Sequence, residues 1–204
     1  MSAPGTIHVV DDDAALRDSL RTLLEASGFV VRTYESATAI LISGPAIPGC
    51  VLTDVRMPDI DGLALLRRLR EQGIQLPVIV MTGQGDIAIA VQAMKAGAVD
   101  FLEKPFGDES LLGAIGRALE QGERLREIAA TRGEAVSRLA ALTPREREVF
   151  DLLVSGLPTK AIANTLGASP RTIEVHRARV FEKLRAHNLP DLVRLMLAAE
   201  AGRA

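Results

Sequence analysis

Over residues 1 to 121, short runs of apolar and β-branched residues alternate with stretches whose apolar positions recur every three or four residues. Ile7 to Val10, Val30 to Tyr34, Cys50 to Thr53, Val78 to Met81 and Asp100 to Leu102 read as strands. The first and fourth are nearly all apolar, as strands covered on both faces must be. Between them Leu16, Leu20, Leu23 and Leu24, then Leu63, Leu66 and Leu69, then Ile87, Val91 and Met94 fall at helical spacing, with Gly28, Gly73 and Gly97 where those helices should stop. Five such units predict an α/β domain of (βα)5 form, with a parallel sheet in the order 2-1-3-4-5.

The last helix of that unit, starting near Asp108 or Glu109, continues in pattern through Leu112, Ile115, Leu119, Leu125 and Ile128 toward Leu139. Gly113, Gly116, Gly122 and Gly133 each cost about 1 kcal/mol of helix propensity relative to Ala, so one long connector and a break near Gly122 or Gly133 both fit the pattern. From Leu142 the pattern is purely helical. Thr143, Pro144 and Glu146 spell a capping-box start and Gly156 a stop; a second helix runs from about Thr159 to Leu166. The third opens on Ser169 and Pro170 and runs to about Arg185, and the fourth follows Pro190. A short helix, a turn with Gly167 and a longer basic helix have the form of a helix-turn-helix. The division is therefore residues 1–121, a helical linker over 122–139, and an all-α four-helix domain over 140–204.

The net charge of −2 over 204 residues conceals an asymmetry: residues 1 to 121 carry 10 basic and 16 acidic residues, and 122 to 204 carry 14 and 10. An acidic module is thus joined to a basic one, a first hint of a polyanionic partner. A 48% hydrophobic and 25% charged composition is that of a folded globular chain. No apolar run reaches the ~18 residues that span a bilayer, and Met1 to Thr6 do not read as a signal peptide. Cys50 is the sole cysteine, which excludes an intrachain disulfide and a thiolate-rich zinc site and suits a reducing cytoplasm.

In an open parallel sheet, ligands bind at the carboxyl ends of the strands. Asp11, Asp12 and Asp13 follow the first predicted strand, Asp54 the third, Thr82 the fourth and Lys104 the fifth. Carboxylates gathered there repel one another unless a cation intervenes, and a hard divalent ion such as Mg2+ (or Mn2+) takes carboxylates together with phosphate oxygens. Asp54 could then act as nucleophile toward a phosphoryl group, with the Thr82 hydroxyl and the Lys104 ammonium on its remaining oxygens. Taken singly, the aspartates could cap the next helix, Thr82 could be another cap, and Lys104 could pair with Glu103.

Val9 to Asp13, Thr53 to Pro58 with Asp61 and Gly62, Met81 to Asp86, and Lys95 to Phe106 resemble the receiver domain of two-component response regulators. The resemblance implies that Asp54 is phosphorylated by a sensor histidine kinase. It further implies that Asp11, Asp12, Asp54 and the backbone carbonyl of Arg56 hold the metal, and that Thr82 and Lys104 read the phosphate. Phe101 would be the switch aromatic, Lys104–Pro105 a cis bond, and Val91, Lys95 and Phe101 part of a dimer face. The chain would not be an enzyme in its own right, with self-dephosphorylation as a further capacity of the site.

In the second half, steps of ~100° per residue put Ile173, Val180 and Leu184 on one side of the third helix, and Arg171, Val175, Ala178 and Glu182 on the other. Glu174 and Arg179 flank the second set, the face suited to a major groove, while Thr172, Lys183 and Lys160 lie where a phosphate backbone would pass. A solvated face used for protein contacts is the alternative. Leu142 to Glu148, Gly156, Lys160 to Ala163, Leu166 and Ser169 to Lys183 resemble the LuxR-type helix-turn-helix, and the whole chain resembles the NarL/FixJ response regulators. That family implies a phosphorylated homodimer on promoter DNA that regulates transcription as an activator through RNA polymerase. It also implies a FixL-like kinase and a link to oxygen-controlled nitrogen fixation. His176 matches a family position, as a phosphate contact or as a packed side chain. Two rivals remain, a metal-dependent phosphatase, which would need a further acid or base, and a protein adaptor with a degenerate second half.

Overall fold

The computed structural model describes residues 5–44, 48–58, 60–83 and 87–201. Five strands, β1 (Thr6–Val10), β2 (Val30–Tyr34), β3 (Gly49–Asp54), β4 (Val78–Thr82) and β5 (Asp100–Glu103), form one parallel sheet in the order β2-β1-β3-β4-β5. Helices α1 (Ala14–Ala26), α2 (Ala37–Ser43), α3 (Gly62–Glu71) and α4 (Ile87–Lys95) alternate with them, and α5 (Asp108–Ala140) follows β5. Side chains alternate across a strand, so β4 sends Val78 and Val80 to one face and Ile79 and Met81 to the other. The first face packs on Leu65, Leu66 and Leu69 of α3, Ile40 of α2 and Ala93 of α4. The second packs on Leu20 and Leu24 of α1 and on Leu111 and Ile115 of α5. Burial on both sides explains why β1, β3 and β4 are so uniformly apolar, whereas β2, at the edge, leaves Val30 half exposed.

The strands run one residue further than their apolar cores, which makes Asp54 and Thr82 the last residues of β3 and β4. Of the two readings of the connector, the long one is found: α5 is one helix of 33 residues through Gly122 and Gly133. Chain compactness divides the molecule between Leu125 and Arg126, within that helix. The second unit holds the end of α5 and helices α6 (Pro144–Val154), α7 (Thr159–Thr165), α8 (Pro170–Leu184) and α9 (Leu189–Glu200). Its core is Val149, Phe150 and Leu153 of α6, Ile162 of α7, Ile173, Val180 and Leu184 of α8, and Leu192 of α9. Helix starts follow the sequence signals: Thr143 and Glu146 form the reciprocal capping box, Ser169 caps α8, and Asn188 caps α9.

Candidate functional site

The three consecutive aspartates after β1 divide their work. Asp13 caps α1, accepting from the Ala15 and Leu16 backbone N–H groups. Asp12 is exposed. Asp11 turns inward, 1% exposed, and meets Asp54 at 8% exposure. Lys104, just past β5, donates to Asp11 Oδ2 at 2.9 Å and more closely to Asp54 Oδ1, so one ammonium bridges two buried carboxylates. The second oxygen of Asp54 accepts the Arg56 backbone N–H at 2.6 Å, and Asp11 Oδ1 accepts that of Asp13 at 2.9 Å. Gly62 passes close behind: a β-carbon there would meet the Asp54 carbonyl oxygen at 2.3 Å.

Burial pushes the Asp54 carboxyl above its ordinary value, the nearby Asp11 charge adds to this, and the Lys104 contact only partly offsets them. Burial alone would lower the Lys104 ammonium, but its bonds to Asp54 and Asp11 and their charges prevail and hold it above the usual lysine range. Two carboxylates against one ammonium leave a negative, all-oxygen site, the donor set a hard divalent cation prefers. Among the described residues no three acidic, His or Cys side chains are grouped as metal ligands. Asp12 stands exposed beside the Asp11–Asp54 pair, with Asp11 and Asp54 the two carboxylates that Lys104 bridges.

Thr82 is buried at the end of β4, but its hydroxyl donates to the Gly83 carbonyl at 2.9 Å rather than to either carboxylate. Its side chain also lines a pocket of about 260 Å3 with Val91, Met94, Lys95 and Phe101. Phe101 is 42% exposed there. The Lys104–Pro105 bond is cis, as the resemblance implied.

On α8, Ile173, Val180 and Leu184 are buried, and Arg171, Thr172, Glu174, Val175, Ala178 and Arg179 are exposed; Lys160 is exposed at the start of α7. Lys183, expected beside a phosphate backbone, is exposed on α8 and engaged within the chain. It donates to Glu146 Oε2 at 2.6 Å and to the Ala141 carbonyl at 3.3 Å, because the buried Glu146 carboxylate needs a counter-charge. His176 packs with Nδ1 buried and without a hydrogen-bond partner among the described residues. His8 is fully buried in β1, with Nδ1 3.1 Å from the Tyr34 hydroxyl.

Two arginines that sequence reasoning missed shape these sites. Arg17 Nη1 donates to the Asp11 carbonyl at 2.7 Å and pins the loop that carries the carboxylates. Its place one turn into α1, facing back toward the strand end, was the available signal. Arg177 lies over the Phe181 ring at 5.6 Å and reaches the Thr159 hydroxyl at 3.4 Å, an i,i+4 pairing readable from spacing.

Residues 7–116 match the response regulator receiver domain, and residues 140–196 match the bacterial regulatory proteins of the luxR family. The transcriptional regulatory protein FixJ of Bradyrhizobium diazoefficiens is 48% identical over 200 residues, covering 98% of each chain. FixJ of Azorhizobium caulinodans is 52% identical over 198 residues, 95% of this chain and 92% of that one. Among solved structures, the response regulator StyR superposes with a TM-score of 0.84 at 37% identity, covering 96% of this chain and 99% of that one. Full-length FixJ from B. japonicum gives 0.60 at 48% identity, covering 97% and 98%. No described helix is long and apolar enough to cross a membrane. With a receiver domain at one end, a LuxR-type DNA-binding domain at the other and near full-length likeness to FixJ, the chain belongs to the FixJ-like response regulators and is a transcriptional regulator.

Proposed function

We propose that Asp54 accepts a phosphoryl group from a sensor histidine kinase, FixL-like by relatedness, and that this switches dimerisation and promoter binding. The observation that carries the reading is the Lys104 ammonium held between Asp11 and Asp54. Asp54 Oδ1 attacks phosphorus, the kinase's P–N bond breaks, and the imidazole nitrogen leaves, taking a proton from solvent. Lys104 needs only to slide from Asp54 Oδ1 to a phosphoryl oxygen, keeping its bond to Asp11. Asp11, Asp12, Asp54 and the Arg56 carbonyl would hold Mg2+ (or Mn2+), which supplies charge neutralisation of nucleophile and phosphoryl oxygens. The Thr82 hydroxyl leaves the Gly83 carbonyl for the phosphoryl group, and Phe101 turns into the pocket that Thr82 vacates. Self-dephosphorylation would follow when a water attacks phosphorus and the Asp54 carboxylate leaves.

The exposed face of Val91, Lys95 and Phe101 then pairs two copies in the cytoplasm. Arg171, Thr172, Glu174, Val175, Ala178 and Arg179 enter the major groove, with Lys160 on the backbone and Lys183 reaching it only by leaving Glu146. The bound dimer activates transcription through RNA polymerase, with oxygen-controlled nitrogen-fixation genes as the targets that the FixJ likeness suggests. Acetyl phosphate with Mg2+ should label the chain once. Asp54→Asn should abolish labelling while circular dichroism stays unchanged; labelling of the Asn variant at the same stoichiometry would rule out Asp54 as acceptor.

A further inference from the structure

A helix lying in the major groove has a phosphate strand along each flank. On one flank of α8 stand Thr172 and Arg179. On the other, Glu174, Ala178 and Phe181 border a shallow depression that ends at His187, and Arg177 there is engaged with Thr159. His187 is also part of the wall of a cleft of about 410 Å3 between the end of α5 and α9. Three arginines line that cleft. Arg138 and Arg194 are neutralised by Glu134 and Asp191. Arg185 is exposed, and its guanidinium has no hydrogen-bond or ion-pair partner among the described residues.

Arg185 is also the one residue other than glycine that the described backbone holds at positive φ, with φ 52 and ψ 40 at the C-cap of α8. Its N–H closes the helix on the Glu182 carbonyl, and the Ala186 N–H follows on that of Phe181. Glycine fills such a corner without strain, while a side chain there crowds its own carbonyl. A positive-φ position that holds a long exposed cation with no internal partner, at the end of the helix that the proposed function places in the major groove, leaves that cation free to take an external anion. We propose that Arg185 contacts a DNA backbone phosphate and supplies the clamp on the Glu174 side of α8. The other physical reason for a cation here is complementing the helix dipole at the α8 C-terminus, and the two reasons part experimentally.

The full chain is titrated onto a mixed-sequence DNA duplex across a salt series, where backbone contacts set the slope of log affinity against log salt. Arg185→Gly should weaken binding and flatten that slope by about 0.9, the signature of one lost phosphate contact. Its thermal midpoint should be unchanged or raised, because the strain is gone. Arg185→Lys should restore the slope. A native slope in Arg185→Gly overturns the proposal, as does an Arg185→Lys variant as flat as the glycine one. A lowered midpoint with unaltered DNA binding returns Arg185 to the helix dipole, and a loss confined to one sequence makes it a base reader instead.

Discussion

Glu146 is 2% exposed in the core of the DNA-binding unit and yet stays ionised. Its Oε2 takes the Lys183 ammonium at 2.6 Å and the Thr143 backbone N–H at 2.9 Å, and these bonds hold its carboxyl down at about 2. The half of this arrangement that lies within one helical turn, Thr143 with Glu146, was legible as a capping box. Lys183 was not, because its partner is 37 residues away and its position on the α8 wheel also suits a phosphate contact. The lowered carboxyl fixes the sign of the pH dependence: its contribution is complete above the ordinary value of 4.5 and fades as pH falls toward about 2. Acid titration of the chain, followed by an α6–α9 signal, should therefore show this unit losing stability across that window. Glu146→Gln keeps the shape and removes the charge, and should cost on the order of 2 kcal/mol at neutral pH in denaturant unfolding. It should also remove the acid dependence below pH 4.5, and a variant with the native acid profile would assign that profile to other carboxylates.

At the scale of one element, α5 shows why the glycine count could not decide between one helix and two. Propensity sums weakly against a helix whose apolar side is taken up by packing, and Leu111, Ala114, Ile115 and Ala118 lie buried along it before Ala135 and Leu139 are buried again. The two glycines named as break points are not alike. A β-carbon on Gly122 would meet Pro77 Cγ at 2.9 Å and Cδ at 3.2 Å, so the residue is small because the ring lies against the helix. On Gly133 it would meet nothing within 4 Å. Gly133→Ala should raise stability by about 1 kcal/mol, whereas Gly122→Ala should lower it by about 1–3 kcal/mol through overpacking on Pro77. Opposite signs in chemical unfolding would support this division. Stabilisation by both would mean that Pro77 moves aside freely.

For the molecule as a whole, the strand order and the carboxyl-edge site were legible because each strand's apolar run ends on a polar residue and parallel topology aligns those ends. What the sequence could not convey is the set of contacts at these residues: Thr82 tied to Gly83, Phe101 exposed, and Lys104 shared by two acids. The pocket beneath Thr82 opens onto Val91, Met94, Lys95 and Phe101, of which Val91, Met94 and Phe101 are 48%, 45% and 42% exposed. Under the proposed function, an apolar patch joined to Thr82 is where phosphorylation would change how two copies meet. Val91→Asp puts a charge into that patch without touching Asp11, Asp54 or Lys104. Labelling by acetyl phosphate should then proceed as in the native chain, while light scattering shows the phosphorylated variant still monomeric. Binding to a paired-site DNA should fall by about 10²-fold, since the second recognition helix no longer arrives with the first. Lys95→Glu, at the exposed end of the same helix, should act in the same direction with less disturbance of the pocket. A phosphorylated Val91→Asp chain that dimerises like the native protein would move the pairing surface off α4 and β5 altogether.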